Sequence, residues 1–421
     1  MRSNYKRIGN HIREVNIRNR ELTATKLLGI NIDKYYMPSV ANIVGTDMTA
    51  YKVVKRGQFA CNRMHVGRDY RLPVALSKSE EDFIVSPAYD VFEIIDENAL
   101  LPEYLMMWFS RIEFDRNAWF YTDADVRGGL PWKSFCDMQL PIPHPNKQRE
   151  IIKEYNTIVN RIALNNQLIQ KLEEKAQAIY KQWFVDFEFP DEDGKPYKSS
   201  GGEMVESELG KIPIGWEMKP FTQVFKLSGG GTPDTTNEKY WGNEIPFFAP
   251  PDVTNSYYTI RTEKSITKSG LKNCSSKLYQ KNTIFVTARG TVGAIAIAGS
   301  DMAMNQSCYA FTDTKRNSKY FAHQMIVDTI GRLKNEATGA VFSALVTRDF
   351  DSQIVLEPGE NSIIKFDITV KGIYESILNT VKENLLLAEI KEVLLSKLAT
   401  MENLELIQLH AECNVENSII N

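Results

Sequence analysis

The chain has 421 residues, 43% hydrophobic and 10% aromatic, with 50 Lys and Arg against 53 Asp and Glu. That length accommodates two or three domains with buried cores, and a net charge of −3 neither suggests nor excludes nucleic acid, so local charge must decide. The cysteines, Cys61, Cys136, Cys274, Cys308 and Cys413, never fall in CxxC spacing, no apolar run reaches membrane-spanning length, and residues 1–20 lack the apolar centre of a secretion signal. A reducing cytoplasm without membrane contact is expected.

Residues 1–145 read as a mixed domain. Short β-type runs at 51–54, 82–86 and 89–94 alternate with Gly, Pro and charged clusters, and a helix is predicted over 102–114, with Pro102 suited to its first turn. Leu140-Pro-Ile-Pro143 then leads into a heptad seam: Ile151, Tyr155, Ile158, Ile162, Ile169, Leu172, Ala176, Ile179 and Trp183, with Asn165 filling one gap. About 40 residues at ~1.5 Å each make a helix of roughly 60 Å. We assign 146–188 to this first spacer helix. Residues 189–215, rich in Asp, Glu, Gly and Ser, read as an acidic flexible linker. A second mixed domain covers 216–358, with strands at 283–287 and 294–298, and a second long helix covers 359–409 before a tail at 410–421.

The second half repeats the first. At an offset of 215 residues, Ile151 falls on Phe366, Tyr155 on Val370, Ile158 on Ile373, Ile162 on Ile377, Leu172 on Leu387, Ile179 on Leu394 and Trp183 on Leu398. Upstream the offset drifts only slightly: Tyr104 answers to Tyr320 and Phe92 to Phe311. Two equivalent apolar seams pack most simply as an antiparallel coiled coil, which brings Asn165 near Thr380 and Asn384 in a buried polar layer that fixes register.

Motifs for chemistry are largely missing. Ala249-Pro-Pro-Asp252 lacks the Asn or Asp in front and the aromatic ring behind that an amino-methyltransferase loop needs, and reads as a turn. Gly129-Leu-Pro-Trp-Lys-Ser134 has Trp132 where a phosphate loop needs Gly. The histidines are scattered without metal-ligand spacing, and Glu389-Ile-Lys391 falls on a helix face rather than a nuclease strand. Both repeats instead place basic, polar and glycine-rich residues after an equivalent strand. The first offers Asn62, Arg63, His65, Arg68, Arg71 and Arg127; the second offers Arg289 and Thr291, preceded by a basic stretch containing Lys264 and Lys268. Arg, Asn, Gln and His on loops read base edges, while surrounding Lys and Arg neutralise phosphates.

Ser228-Gly-Gly-Gly-Thr-Pro233 (with Gly231 and Thr232), followed by Tyr240-Trp-Gly242 and Ile245-Pro246, resembles the opening of a target-recognition domain in type I restriction-modification specificity subunits. Thr287-Ala-Arg-Gly-Thr-Val-Gly293 with Asn305-Gln306 resembles its middle, Leu209-Gly-Lys-Ile-Pro-Ile-Gly-Trp216 its lead-in, and Leu172-Glu-Glu-Lys-Ala176 with Ala178-Ile-Tyr-Lys-Gln-Trp-Phe184 that family's central spacer helix. The first domain lacks the Gly-Thr-Pro and Tyr-Trp opening.

The resemblance implies an α+β chain: two mixed α/β target-recognition domains in tandem, each followed by a long helix. Each domain reads half of a bipartite, asymmetric double-stranded DNA target. The helices pair through Ile158, Ile162, Asn165, Leu172, Ile179, Trp183, Ile373, Ile377, Asn384, Leu387, Leu394 and Leu398. It further implies docking of two methyltransferase (M) and two restriction/translocase (R) subunits. These would carry S-adenosylmethionine, ATP and Mg, while this chain binds no cofactor or metal and is not itself an enzyme. A coiled-coil scaffold without a DNA role is the alternative.

Overall fold

The computed structural model describes residues 5–39, 45–64, 66–122, 128–208, 210–313, 318–336 and 344–399. The chain divides into two compact units, 1–161 with 387–421 and 162–386, so each holds one mixed head and one stretch of both long helices.

In the first unit the order is β1 (Tyr5–Arg7), β2 (Ile12–Val15), β3 (Leu28–Ile30), β4 (Tyr36–Pro38), β5 (Lys52–Val54), β6 (Phe59–Cys61), α1 (Val66–Asp69), β7 (Val74–Leu76), β8 (Phe83–Val85), β9 (Asp90–Ile94), α2 (Pro102–Phe109), α3 (Ile112–Phe120), α4 (Trp132–Asp137), β10 (Gln139–Pro141) and the start of α5 (Pro145–Phe184). An antiparallel sheet of order β2-β9-β6-β7 carries the core. Phe59 and Phe92, paired across it, stack at 4.9 Å, and Phe109 and Phe135 close over them. The helix predicted over 102–114 is in fact two. The Ser110 hydroxyl donates back to the Met106 carbonyl, and Arg111 turns extended, its guanidinium over the Trp108 ring at 4.2 Å and paired with Glu113 at 3.3 Å. An uninterrupted helix would not hold this buried cation against those partners.

The second unit continues with β11 (Met204–Ser207), β12 (Gly210–Pro213), β13 (Glu217–Pro220), α6 (Phe221–Val224), β14 (Phe225–Gly229), β15 (Trp241–Phe248), β16 (Tyr258–Thr259), β17 (Lys264–Ile266), α7 (Lys268–Lys272), β18 (Ile284–Thr287), β19 (Ile295–Ala298), β20 (Ala303–Met304), β21 (Cys308–Asp313), α8 (Tyr320–Glu336), α9 (Thr347–Asp351), β22 (Ile354–Glu357) and α10 (Glu360–Lys397). Its main sheet has the order β14-β21-β18-β19-β16, the first head's order with one strand added. Ile284 opposes Phe311 as Phe59 opposes Phe92, and β13 pairs with β22 as β1 does with β10. Phe135 and Phe350, 215 residues apart, are both fully buried, and Leu130 and Leu345 donate equivalent backbone bonds to Arg63 and Ala288. The two heads are one plan used twice.

Residues 189–215 differ from the expected flexible linker. Phe189 stacks between Tyr197 and Trp216 at 4.6 and 4.8 Å, and β11 and β12 form a hairpin. Three rings burying one another outweigh the acidic, Gly-rich composition that pointed to a free chain.

The long helices run antiparallel where they meet. In the second unit Trp183 and Phe184 meet Phe366 at 5.7 and 5.2 Å, and at the other end Asn165, 1% exposed, donates to Asn384 at 2.9 Å. Asn384 in turn donates to Asn166 at 2.9 Å, whereas the Thr380 hydroxyl bonds Ser376 in its own helix, so the polar layer is built by asparagines alone. Trp183 and Ile377 are buried; Ile162, Leu172, Ile179, Ile373 and Asn384 are half-buried. In the first unit Ile151, Leu395 and Leu398 join the head's core, with Ile158, Leu387 and Leu394 half-buried. The seam understated α10: Tyr374 and Leu378, off the heptad frame, are buried as well, because α10 also packs on the second head. The 410–421 tail lies outside the described residues.

Candidate nucleic-acid interface

Strand register places three loops of the second head together. β14 ends at Gly229 opposite Tyr309, β18 ends at Thr287 opposite Cys308, and β21 begins at Cys308. The loops at 230–232, 288–293 and 305–307 therefore leave one end of the same sheet. Hydrogen bonds tie them: Gly231 N–H donates to Met304 O at 3.1 Å, Ala288 N–H to Ser307 O at 2.7 Å, and the Thr232 hydroxyl to the Gln306 side-chain carbonyl. Asn305 is half-buried, accepting from Ser307 N–H at 3.0 Å through its side chain and donating its own N–H to Phe248 O. Arg289, Thr291 and Gln306 are exposed, and Arg289 has no acidic partner among the described residues.

Glycine is required where these loops touch. A Cβ on Gly230 would overlap the backbone carbonyls of Met304 (2.5 Å) and Asn305, and one on Gly231 would lie 2.8 Å from Ser275 N. Gly231 is buried, so its part is to let the loops close, not to meet a ligand. Ser275 and Ser276, which sequence reasoning passed over, back this junction; the Ser276 hydroxyl donates to Met304 O at 2.8 Å. Ala249-Pro-Pro-Asp252 forms a 3-10 turn whose Asp252 accepts from Ala249 N–H. Lys264 and Lys268 are exposed beside the separate sheet β17-β15-β20, with the Lys264 ammonium 5.8 Å from the Trp241 ring.

The first head repeats the arrangement with different side chains. The loop after β6, the turn before β9 and the chain leaving β2 share one sheet end. Asn62 is half-buried and accepts from Met64 N–H at 3.1 Å. Arg63, expected to face a ligand, turns inward instead: it bonds Asp90 at 2.6 Å and the Leu130 carbonyl, 5.4 Å from the Trp132 ring. The neighbouring carboxylate and the aromatic wall hold it there. Arg68 and Arg71 are exposed, paired with Asp69 (2.6 Å) and Asp33 (2.8 Å). His65 and Arg127 lie outside the described residues.

The site thus presents guanidinium, amide and hydroxyl groups on loops, which is the chemistry of base-edge and phosphate contact. Among the described residues no group of His, Cys, Asp and Glu could hold a metal, and no helix is long and apolar enough to cross a membrane. His323 is buried against Tyr374 at 2.8 Å, and burial pushes its imidazole down to about 3, so it stays neutral.

Residues 213–384 match the family model described as the type I restriction modification DNA specificity domain. The chain is 25% identical to the type I restriction enzyme HindI specificity subunit of Haemophilus influenzae, over 88% of this chain and 92% of that one. It is 38% identical to the MjaIX specificity subunit of Methanocaldococcus jannaschii over a shorter stretch, 25% of this chain and 24% of the other. In fold it is similar to the crystal structure of a type I restriction-modification S subunit from M. genitalium, with a TM-score of 0.53 at 12% identity, covering 94% and 95% of the two chains. Over residues 213–384 the chain thus matches the model of a specificity domain, and over nearly its whole length it is similar to a type I restriction enzyme specificity subunit.

Proposed function

We propose that this chain recognises a bipartite, asymmetric target in double-stranded DNA, residues 1–145 reading one half and 216–358 the other. The observation that carries the reading is that one strand order recurs with unlike loops at the same sheet end. Equal frames give equivalent docking, and unlike loops give unlike half-sites. Arg289, Thr291 and Gln306 contact bases in the second half-site, with Asn305 and Thr232 holding their loops. Asn62, Arg68 and Arg71 serve the first, and Lys264 and Lys268 meet phosphates. The spacer helices, 146–188 and 359–409, set the base pairs between the halves, about one turn (~34–36 Å) from centre to centre. They also dock two methyltransferase and two restriction/translocase subunits, which bring S-adenosylmethionine, ATP and Mg. The chain itself is the specificity component and not an enzyme.

Inserting about four residues in each helix beside the asparagine layer, near 6 Å at ~1.5 Å each, should lengthen the spacer in the motif selected from random duplexes and leave both half-sites unchanged. An unchanged spacer refutes the ruler. Absence of any salt-dependent duplex binding favours the scaffold reading.

A further inference from the structure

The first head exposes aromatic side chains that recognition through Asn62 and the arginines leaves unused. Tyr70 is 63% exposed, Trp119 45% and Phe120 75%. The Tyr70 and Trp119 rings meet at 5.3 Å, and Phe120 lies edge-on to Tyr121 at 5.3 Å. Single exposed rings are ordinary, but large rings exposed side by side mark an interaction surface.

The backbone contributes to the display. Tyr70 N–H donates to Val66 O at 2.8 Å, closing α1, and Tyr70 has φ +56. That is the left-handed position after a helix that glycine usually takes. A tyrosine there accepts strain, and strain held at an exposed site is a sign of use. Continuity and charge say what the rings meet. Tyr70 lies in the 62–73 connection that begins at Asn62 and returns to the sheet through Asn62 N–H to Pro73 O at 2.9 Å. Arg68, Arg71 and Arg116 are exposed in the same two segments. The pairs of Arg68 with Asp69 and Arg71 with Asp33 are solvent-exposed and so are readily exchanged for phosphate, and Arg116 has no acidic partner among the described residues. Among the described residues the second head has no such surface: its β18–β19 connection is a tight turn closed by Gly293 N–H to Thr287 O at 2.8 Å.

We propose that Tyr70, Trp119 and Phe120 form an aromatic wedge that presses into a base step of duplex DNA at the first half-site, with Arg68, Arg71 and Arg116 on the flanking phosphates. Partial unstacking by an apolar wedge bends the duplex and reads its deformability. The proposal rests on the DNA-recognition reading and adds that the two heads read differently, the first by shape and the second by base edges.

The test irradiates the full chain with random duplexes containing 5-iododeoxyuridine, which cross-links to stacked rings, and maps the linked peptides. Binding of the same pool is measured for Trp119→Ala, Phe120→Ala and Tyr70→Gly. Cross-links at Tyr70, Trp119 or Phe120, and binding weakened at least about fivefold by each substitution, are expected. Tyr70→Gly should melt no lower than the parent because it relieves strain, which separates lost contact from lost fold. Cross-links confined to the second head, with all three variants binding as the parent does, overturn the wedge while leaving DNA recognition standing; a patch made for a protein partner gives that result. Absence of both binding and cross-links overturns both.

Discussion

Tyr374→Phe removes one oxygen from a buried junction, and its cost can be worked out. The hydroxyl lies 2.8 Å from His323 Nδ1 and accepts from Gln324 Nε2 at 2.8 Å. Tyr374 is fully buried, and His323 and Gln324 are 1% and 2% exposed, so water cannot replace the lost partner. Gln324 retains a longer bond to the Tyr257 hydroxyl at 3.4 Å; His323 Nδ1 is left unpaired. One fully orphaned buried group and one weakened one, at about 1–3 kcal/mol each, give about 2–4 kcal/mol. The loss is local, because α8 of the second head meets α10 at this junction. Hydrogen exchange followed on α8 peptides of the full chain should accelerate by about 30- to 700-fold, at about tenfold per 1.4 kcal/mol. Exchange within threefold of the parent would show that these bonds do not hold the head to the helix.

Acid should loosen the same junction. With a folded pKa of about 3 against an ordinary 6.5, His323 is neutral when folded, and the unfolded state binds the extra proton between those values. Stability therefore falls as pH drops from about 6.5 toward 3, by up to ~1.4 kcal/mol per pH unit. Burial raises the Glu173 carboxyl, which works in the opposite sense, so denaturation midpoints at pH 7 and 5 for the parent and His323→Gln isolate the histidine; equal pH slopes would refute its role. Gly230→Ala should part the 230–232 loop from 305–307 at about 1–3 kcal/mol and abolish duplex binding, whereas Gly229→Ala, with nothing within 4 Å of its Cβ, should leave binding intact. Equal binding by both would show that loop closure is not needed.

Periodicity and internal repetition made much of the fold legible. The heptad seam and its 215-residue offset place both helices: α5 begins at Pro145 and α10 at Glu360, and Asn165 meets Asn384. What stayed hidden depends on contacts between residues far apart in sequence. Arg63 reads as a loop cation until Asp90, 27 residues away, draws it inward. The break at Ser110 carries neither Gly nor Pro, because a buried arginine and its aromatic lid impose it. The 189–215 segment is ordered by Phe189, Tyr197 and Trp216, three rings scattered through polar chain. For the aromatic surface of the first head a signal was present: Trp119-Phe-Tyr121 is an unbroken run of rings at the end of a short helix, more than one buried face can hold.

The central claim is that two like heads read two unlike sequences. Repeated selection of random duplexes by the full chain, followed by sequencing of the bound pool, tests it most directly. The expected product is one motif with two defined blocks that differ from each other, separated by a spacer of fixed length and free composition. A single contiguous block, or two blocks that are inverted copies, would contradict the account.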